Sequence, residues 1–101
     1  MDRRLELQML LETTLGSTNV YYQPPSTLTM KYPAIVYSRD NITTDFANGN
    51  VYTMVRSYEL IVIDKDPDSS IIGRVAQLPT CRFNRNFTAD NLNHDVFIIQ
   101  F

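Results

Sequence analysis

Two short stretches, Leu60-Ile61-Val62-Ile63 and, apart from Gln100, Val96-Phe97-Ile98-Ile99-Gln100-Phe101, are apolar at consecutive positions instead of alternate ones. Successive side chains of a strand point to opposite sides of its sheet, so a strand with one face in water keeps that face polar. In the first stretch Tyr58, Leu60 and Val62 fall on one side, and Glu59, Ile61 and Ile63 on the other. Both sides therefore need cover. A chain of 101 residues makes one domain with one modest core, so the cover has to come from few elements or from other molecules.

The remaining segments supply those elements. Leu5, Met9 and Glu12 share one helical face with Leu7, Leu10, Leu11 and Leu15 close beside it, a spacing that predicts an amphipathic helix over residues 2–15. Asp2 stands where an N-cap belongs, and Gly16 where a left-handed residue ends a helix. Asn19–Gln23 reads as a short aromatic strand halted by Pro24-Pro25, and residues 24–32 as a loop without a period. A strand over residues 34–46 and another over 52–64 flank Asn48-Gly49, where both residues tolerate the positive φ of a tight hairpin turn. Ile71, Ile72, Val75, Ala76 and Leu78 recur at helical spacing until Pro79. Residues 81–87 read as an edge strand, residues 90–95 as a turn-rich segment, and residues 96–101 as the last strand. The expectation is a single α+β domain over 1–101, in the order α-β-β-β-α-β-β, with two helices on a mostly antiparallel sheet of four or five strands.

Two helices of about three turns cover one face of such a sheet and leave the other. Ile61, Ile63, Phe97, Ile99 and Phe101, together with Tyr21, Tyr22, Tyr37 and Tyr52, then leave apolar surface unaccounted for. Surface of that kind marks protein–protein contact more often than a ligand site. The expectation is a small subunit completed by neighbouring copies, with these strand faces as the subunit interface. Loop 24–32 folding over the second face is the competing arrangement.

The residues suggest no chemistry. Asp64, Asp66 and Asp68 begin like a calcium loop, but Ser69 replaces the sharp-turn glycine and Val75 the bidentate glutamate. They read instead as the start of the second helix, with Asp66 or Asp68 as its cap and Pro67 at its first position. A magnesium-dependent nuclease using the same acids would want a converging lysine and a basic surface, and the net charge is -2. His94 beside Asp95 has no nucleophile in context, and is read as bracing a turn. Cys81 is read as a buried small hydrophobe; a lone cysteine suits a reducing compartment, so the sequons at Asn41 and Asn86 are taken as chance matches. Arg82 and Arg85 among Phe83 and Phe87 are read as exposed polar groups alternating with buried aromatics, not as a platform for bases. No apolar run approaches the ~20 residues of a spanning helix, and Glu6, Gln8 and Glu12 interrupt the stretch after Arg3 and Arg4 that would otherwise resemble a signal peptide.

The succession NVYYQPP (19–25), MKYPAIVYSRD (30–40), YELIVIDKDPDSSI (58–71) and LPTCRFNRNFTADNLNHDVFIIQF (78–101) resembles small tail-completion proteins of long-tailed bacteriophages, the tail terminator or minor tail family. Its most specific parts are Tyr32-Pro33, residues 64–68 and residues 90–97. The resemblance implies a virion protein of the tail or neck, assembled in the host cytoplasm, without catalytic residues or cofactor. It implies a homo-oligomeric ring of six copies that caps the tail tube protein and meets the head-tail connector or stopper. Double-stranded DNA would pass through the ring's lumen without specific binding. Adaptor and stopper proteins of the neck are of similar size and also form rings; a small intracellular binding domain and the metal-dependent nuclease are the more distant alternatives. Under the ring reading the candidate docking loops are the hairpin tip, with Phe46, Asn48 and Asn50, and the loop carrying Leu28 and Met30.

Overall fold

A computed structural model describes residues 3–25, 29–66 and 68–101, with the side chains of residues 45 and 51–53 outside the description. Seven elements follow in the expected order: α1 (Arg3–Leu15), β1 (Val20–Tyr22), β2 (Ala34–Ala47), β3 (Asn50–Asp64), α2 (Ser70–Ala76), β4 (Arg82–Ala89) and β5 (Leu92–Gln100). The five strands form one sheet in the order β1-β2-β3-β5-β4. It is a mixed sheet. β2–β3, β3–β5 and β4–β5 are antiparallel, but β1 runs parallel to β2, pairing Val20 with Ile35 and Tyr22 with Tyr37. A parallel neighbour needs a long return, and the segment between Tyr22 and Ala34 provides it. Near its end Lys31 N donates to Tyr21 Oη at 3.4 Å and Asn19 Nδ2 donates to Pro33 O at 3.3 Å, tying the return to the first strand.

Both helices pack on one face of the sheet. Leu7, Leu11 and Leu15 recur every fourth position and form the buried stripe of α1, while Leu5 and Met9 face outward. Ile71 and Val75 do the same for α2. Beneath them lie Ile35 and Tyr37 of β2, Tyr58, Leu60 and Val62 of β3, and Phe97 and Ile99 of β5. Each fully buried side chain of this size stabilises the fold by about 1.5–3 kcal/mol. Gly16 ends α1 at φ 80°, and its N–H donates to Glu12 O at 2.9 Å. The expected cap Asp2 of α1 and Pro67, expected at the first position of α2, lie outside the described residues.

One polar seam crosses this apolar layer. Tyr37 Oη donates to Gln8 Oε1 at 2.6 Å and accepts from Arg4 at 3.2 Å, and Gln8 Nε2 donates to Val20 O at 3.0 Å. The Arg4 guanidinium also lies over the Tyr22 ring, which packs 4.9 Å from the Tyr37 ring. Burial pushes the Tyr37 hydroxyl above its ordinary pKa despite the arginine, so it serves as a neutral donor. Tyr58 Oη, by contrast, is buried with no hydrogen-bond partner among the described residues.

Candidate functional site

The face away from the helices was expected to be bare, and it is largely covered by the chain itself. Ala34, Ile63, Val96 and Ile98 are buried there, and Val36 and Ile61 are half-buried. The register sets Arg85 beside Val96 and Arg82 beside Ile98, and arginine stems cover apolar surface while their heads stay in water. The five residues expected to form the subunit interface do not share a face. Ile61 and Ile63 lie on the outer one, whereas Phe97 and Ile99 pair with Leu60 and Tyr58 and belong to the core under the helices. Phe101 is half-buried, with the Arg3 guanidinium over its ring and Arg3 Nε donating to its carbonyl at 2.9 Å. Tyr22 and Tyr37 are packed into the helix side as well. Tyr52 lies outside the described side chains.

The unburied apolar surface is elsewhere, in two places. The first is the outer half of the β2–β3 hairpin. Strand β5 leaves β3 at Ser57, opposite Gln100, with one further bond from Phe101 N to Arg56 O. On the other side β1 leaves β2 at Tyr37, and Gln23 extends support only to Arg39 N through its side chain. Beyond these points residues 41–56 continue as a two-stranded ribbon to the Asn48-Gly49 turn, where φ is 54° and 80°. Its register shifts at Asp40, between Arg39 and Asn41, and again between Asp45 and Phe46. Shifts of this kind are bulges, which bend and twist a strand.

Ile42, Thr44 and Phe46 alternate along one side of this ribbon, with Met54 opposite Thr44. Ile42, Phe46 and Met54 are 41%, 66% and 51% exposed. The reason is length: β3 has 15 residues, about 50 Å at the usual strand rise, whereas the 13 residues of α1 span about 20 Å. The helix layer stops before the hairpin does. The molecule is accordingly 51 Å long and 26 × 23 Å across, and its radius of gyration of 14.8 Å exceeds the ~13 Å of a compact chain of this length. Of the expected docking residues, Phe46, Asn48 and Asn50 are exposed at the arm's tip, Met30 is half-buried, and Leu28 lies outside the described residues.

The second place is β4, the outermost strand on the other side. Buried aromatics were expected here, yet Phe83 and Phe87 are 55% and 38% exposed. A bulge between Phe83 and Arg85 puts the two rings on opposite faces: Phe83 packs edge-on to Phe97 at 5.5 Å, and Phe87 stacks on His94 at 4.6 Å. Residues 82–88 are all exposed, and their strand pairs only with β5.

The acidic segment is a boundary, though not the expected one. Ser69, rather than Asp66 or Asp68, caps α2 by accepting from Ile71 N at 3.3 Å. Asp64 Oδ1 accepts from Asp66 N and Asp66 Oδ1 from Asp68 N, so two of the three carboxylates bind the backbone two residues ahead. Among the described residues no three of His, Cys, Asp and Glu are grouped to hold a metal ion. His94 lies within β5, its Nδ1 3.1 Å from Leu92 O, because the expected turn-rich segment narrows to Asp90-Asn91. Cys81 is half-buried against the core, and burial pushes its thiol up to about 11. That keeps it protonated and unreactive near neutral pH. No helix among the described residues is long and apolar enough to cross a membrane.

Compared with protein-family models and with curated proteins, the chain matches none.

Proposed function

We propose that this protein is a structural subunit that assembles into a ring of copies, serving as the terminator of a bacteriophage tail tube where it meets the head connector. The single observation that carries the reading is the arm. An isolated two-stranded hairpin is marginally stable in water, and this one extends past its own helices while presenting Ile42, Phe46 and Met54 to solvent. Such a ribbon gains most from a partner that supplies the missing cover. The resemblance in residues 19–25, 30–40, 58–71 and 78–101 supplies the rest of the proposal: six copies, the tail tube protein and the connector or stopper as neighbours, and DNA in the lumen. A net charge of -2 suits a channel over which a duplex slides without being held.

Negative-stain microscopy of the purified chain, alone across a range of concentrations and with isolated tail tubes, tests this. Rings alone or caps on tube ends are the expected result. A monomer at every concentration that also leaves tube ends bare overturns the reading.

A further inference from the structure

We infer that the arm of one copy docks along the free edge of β4 of the next, as an added strand. This rests on the self-assembly reading above and names the surfaces that would carry it.

The observations that join these two regions are independent of each other. Strand β2 within the arm and β4 both carry a backbone edge with no neighbouring strand in the sheet order, and edges of this kind are templates for pairing with another chain. Their lengths agree: seven residues of β2, 41–47, run beyond the body, and β4 has eight. Their charges are opposite. Along the β2 edge that would do the pairing, residues 40–47, the charged residues are Asp40 and Asp45, with Arg56 on the other strand of the ribbon, whereas residues 82–89 carry only Arg82 and Arg85. Each also presents exposed aromatic surface, Phe46 on the arm and Phe83 and Phe87 on β4, which suits the centre of an interface.

A second copy is the occupant that this chemistry favours, because donor and acceptor edges are on the same chain but at opposite sides of the sheet. The arm cannot reach its own β4, from which β5 and β3 separate it. A contact between two different surfaces of identical chains is head-to-tail, and head-to-tail contacts close into rings when the rotation per copy allows.

Charge reversal in the full-length chain is the test. One variant carries Asp40→Lys and Asp45→Lys, the other Arg82→Glu and Arg85→Glu. Sedimentation velocity should show each variant alone with association weakened about tenfold or more, since like charges then face each other. Equal mixtures of the two should assemble again, with the variants alternating, and so should a single chain carrying all four changes. Unchanged thermal midpoints of the monomeric variants exclude misfolding. In the wild-type assembly, amide hydrogen exchange should slow at residues 41–47 and 82–88 together.

If the wild-type chain assembles and either variant assembles equally well, the edge pairing is overturned while the ring reading stands. Failure of the mixture to recover, or protection of the arm without β4, overturns it too; the second outcome assigns the arm to a different partner such as the tail tube. A wild-type chain that never self-associates removes both.

Discussion

Between Ile35 and Tyr37, strand β2 has β1 on one edge, β3 on the other and the helices above it; between Asn41 and Ala47 the same strand has, among the described residues, only β3 beside it and leaves its apolar side chains exposed. The two halves do not differ in their liking for apolar residues. Ile35 and Tyr37 in the body are followed on the arm by Ile42 and Phe46, yet the first pair is fully enclosed and the second exposed. What differs is the reach of the covering layer. A strand adds about twice as much length per residue as a helix, so a long hairpin outruns short helices unless another molecule continues the cover. Stability therefore resides in the body, and the arm holds surface free for contact.

Substituting Phe97, the ring at the centre of the body, puts the largest strain on this division. Phe97→Ala removes a fully buried ring that packs against Phe83, and a loss of about 3–5 kcal/mol in denaturant unfolding is expected. A loss under 1 kcal/mol would mean that the body is not the cooperative core described here. The cap of α2 gives an intermediate effect. Ser69→Ala should cost about 0.5–2 kcal/mol, whereas Asp68→Asn, at an exposed carboxylate that does not cap the helix, should be within about 0.5 kcal/mol; the reverse ranking would restore the acid as the cap. Phe46→Ala at the arm's tip should change stability of the monomer by less than about 0.5 kcal/mol while weakening association. If it destabilised the isolated chain as Phe97→Ala does, the ring would be part of the core and the division would be wrong.

Much of the architecture was legible. The leucine spacing of α1, the glycine that ends it and the Asn-Gly turn each act within a few residues, so local sequence reports them. The order of the elements followed. The faces of β5 were not legible, and for a physical reason: an apolar run on both sides of a strand carries no phase. Only the pairing of Leu60 with Phe97 shows that Phe97 and Ile99 turn inward. The same holds at β4, where Phe83 and Phe87 have the spacing of one face until a bulge separates them. The cap went to Ser69 because the preceding acids satisfy each other's backbone in successive turns. The hairpin turn was visible, but not the length of ribbon left unsupported, since that depends on where β1 and β5 end. The exposed apolar surface was therefore half legible: an exposed Phe46 at the hairpin tip was expected, whereas Phe83 and Phe87 on the edge strand were expected to be buried and are not.

The bulge at Asp40 has a mechanical consequence. It sits where the ribbon leaves the sheet, and because a bulge bends and twists its strand, it sets the direction of an arm whose far end lies about 23 Å away at the usual strand rise. A difference of roughly 10° in that bend would carry the far end through about 4 Å. Were the proposed assembly to form, the aim of each arm would thus be fixed by a single extra residue at its root, far from the surface that the arm presents.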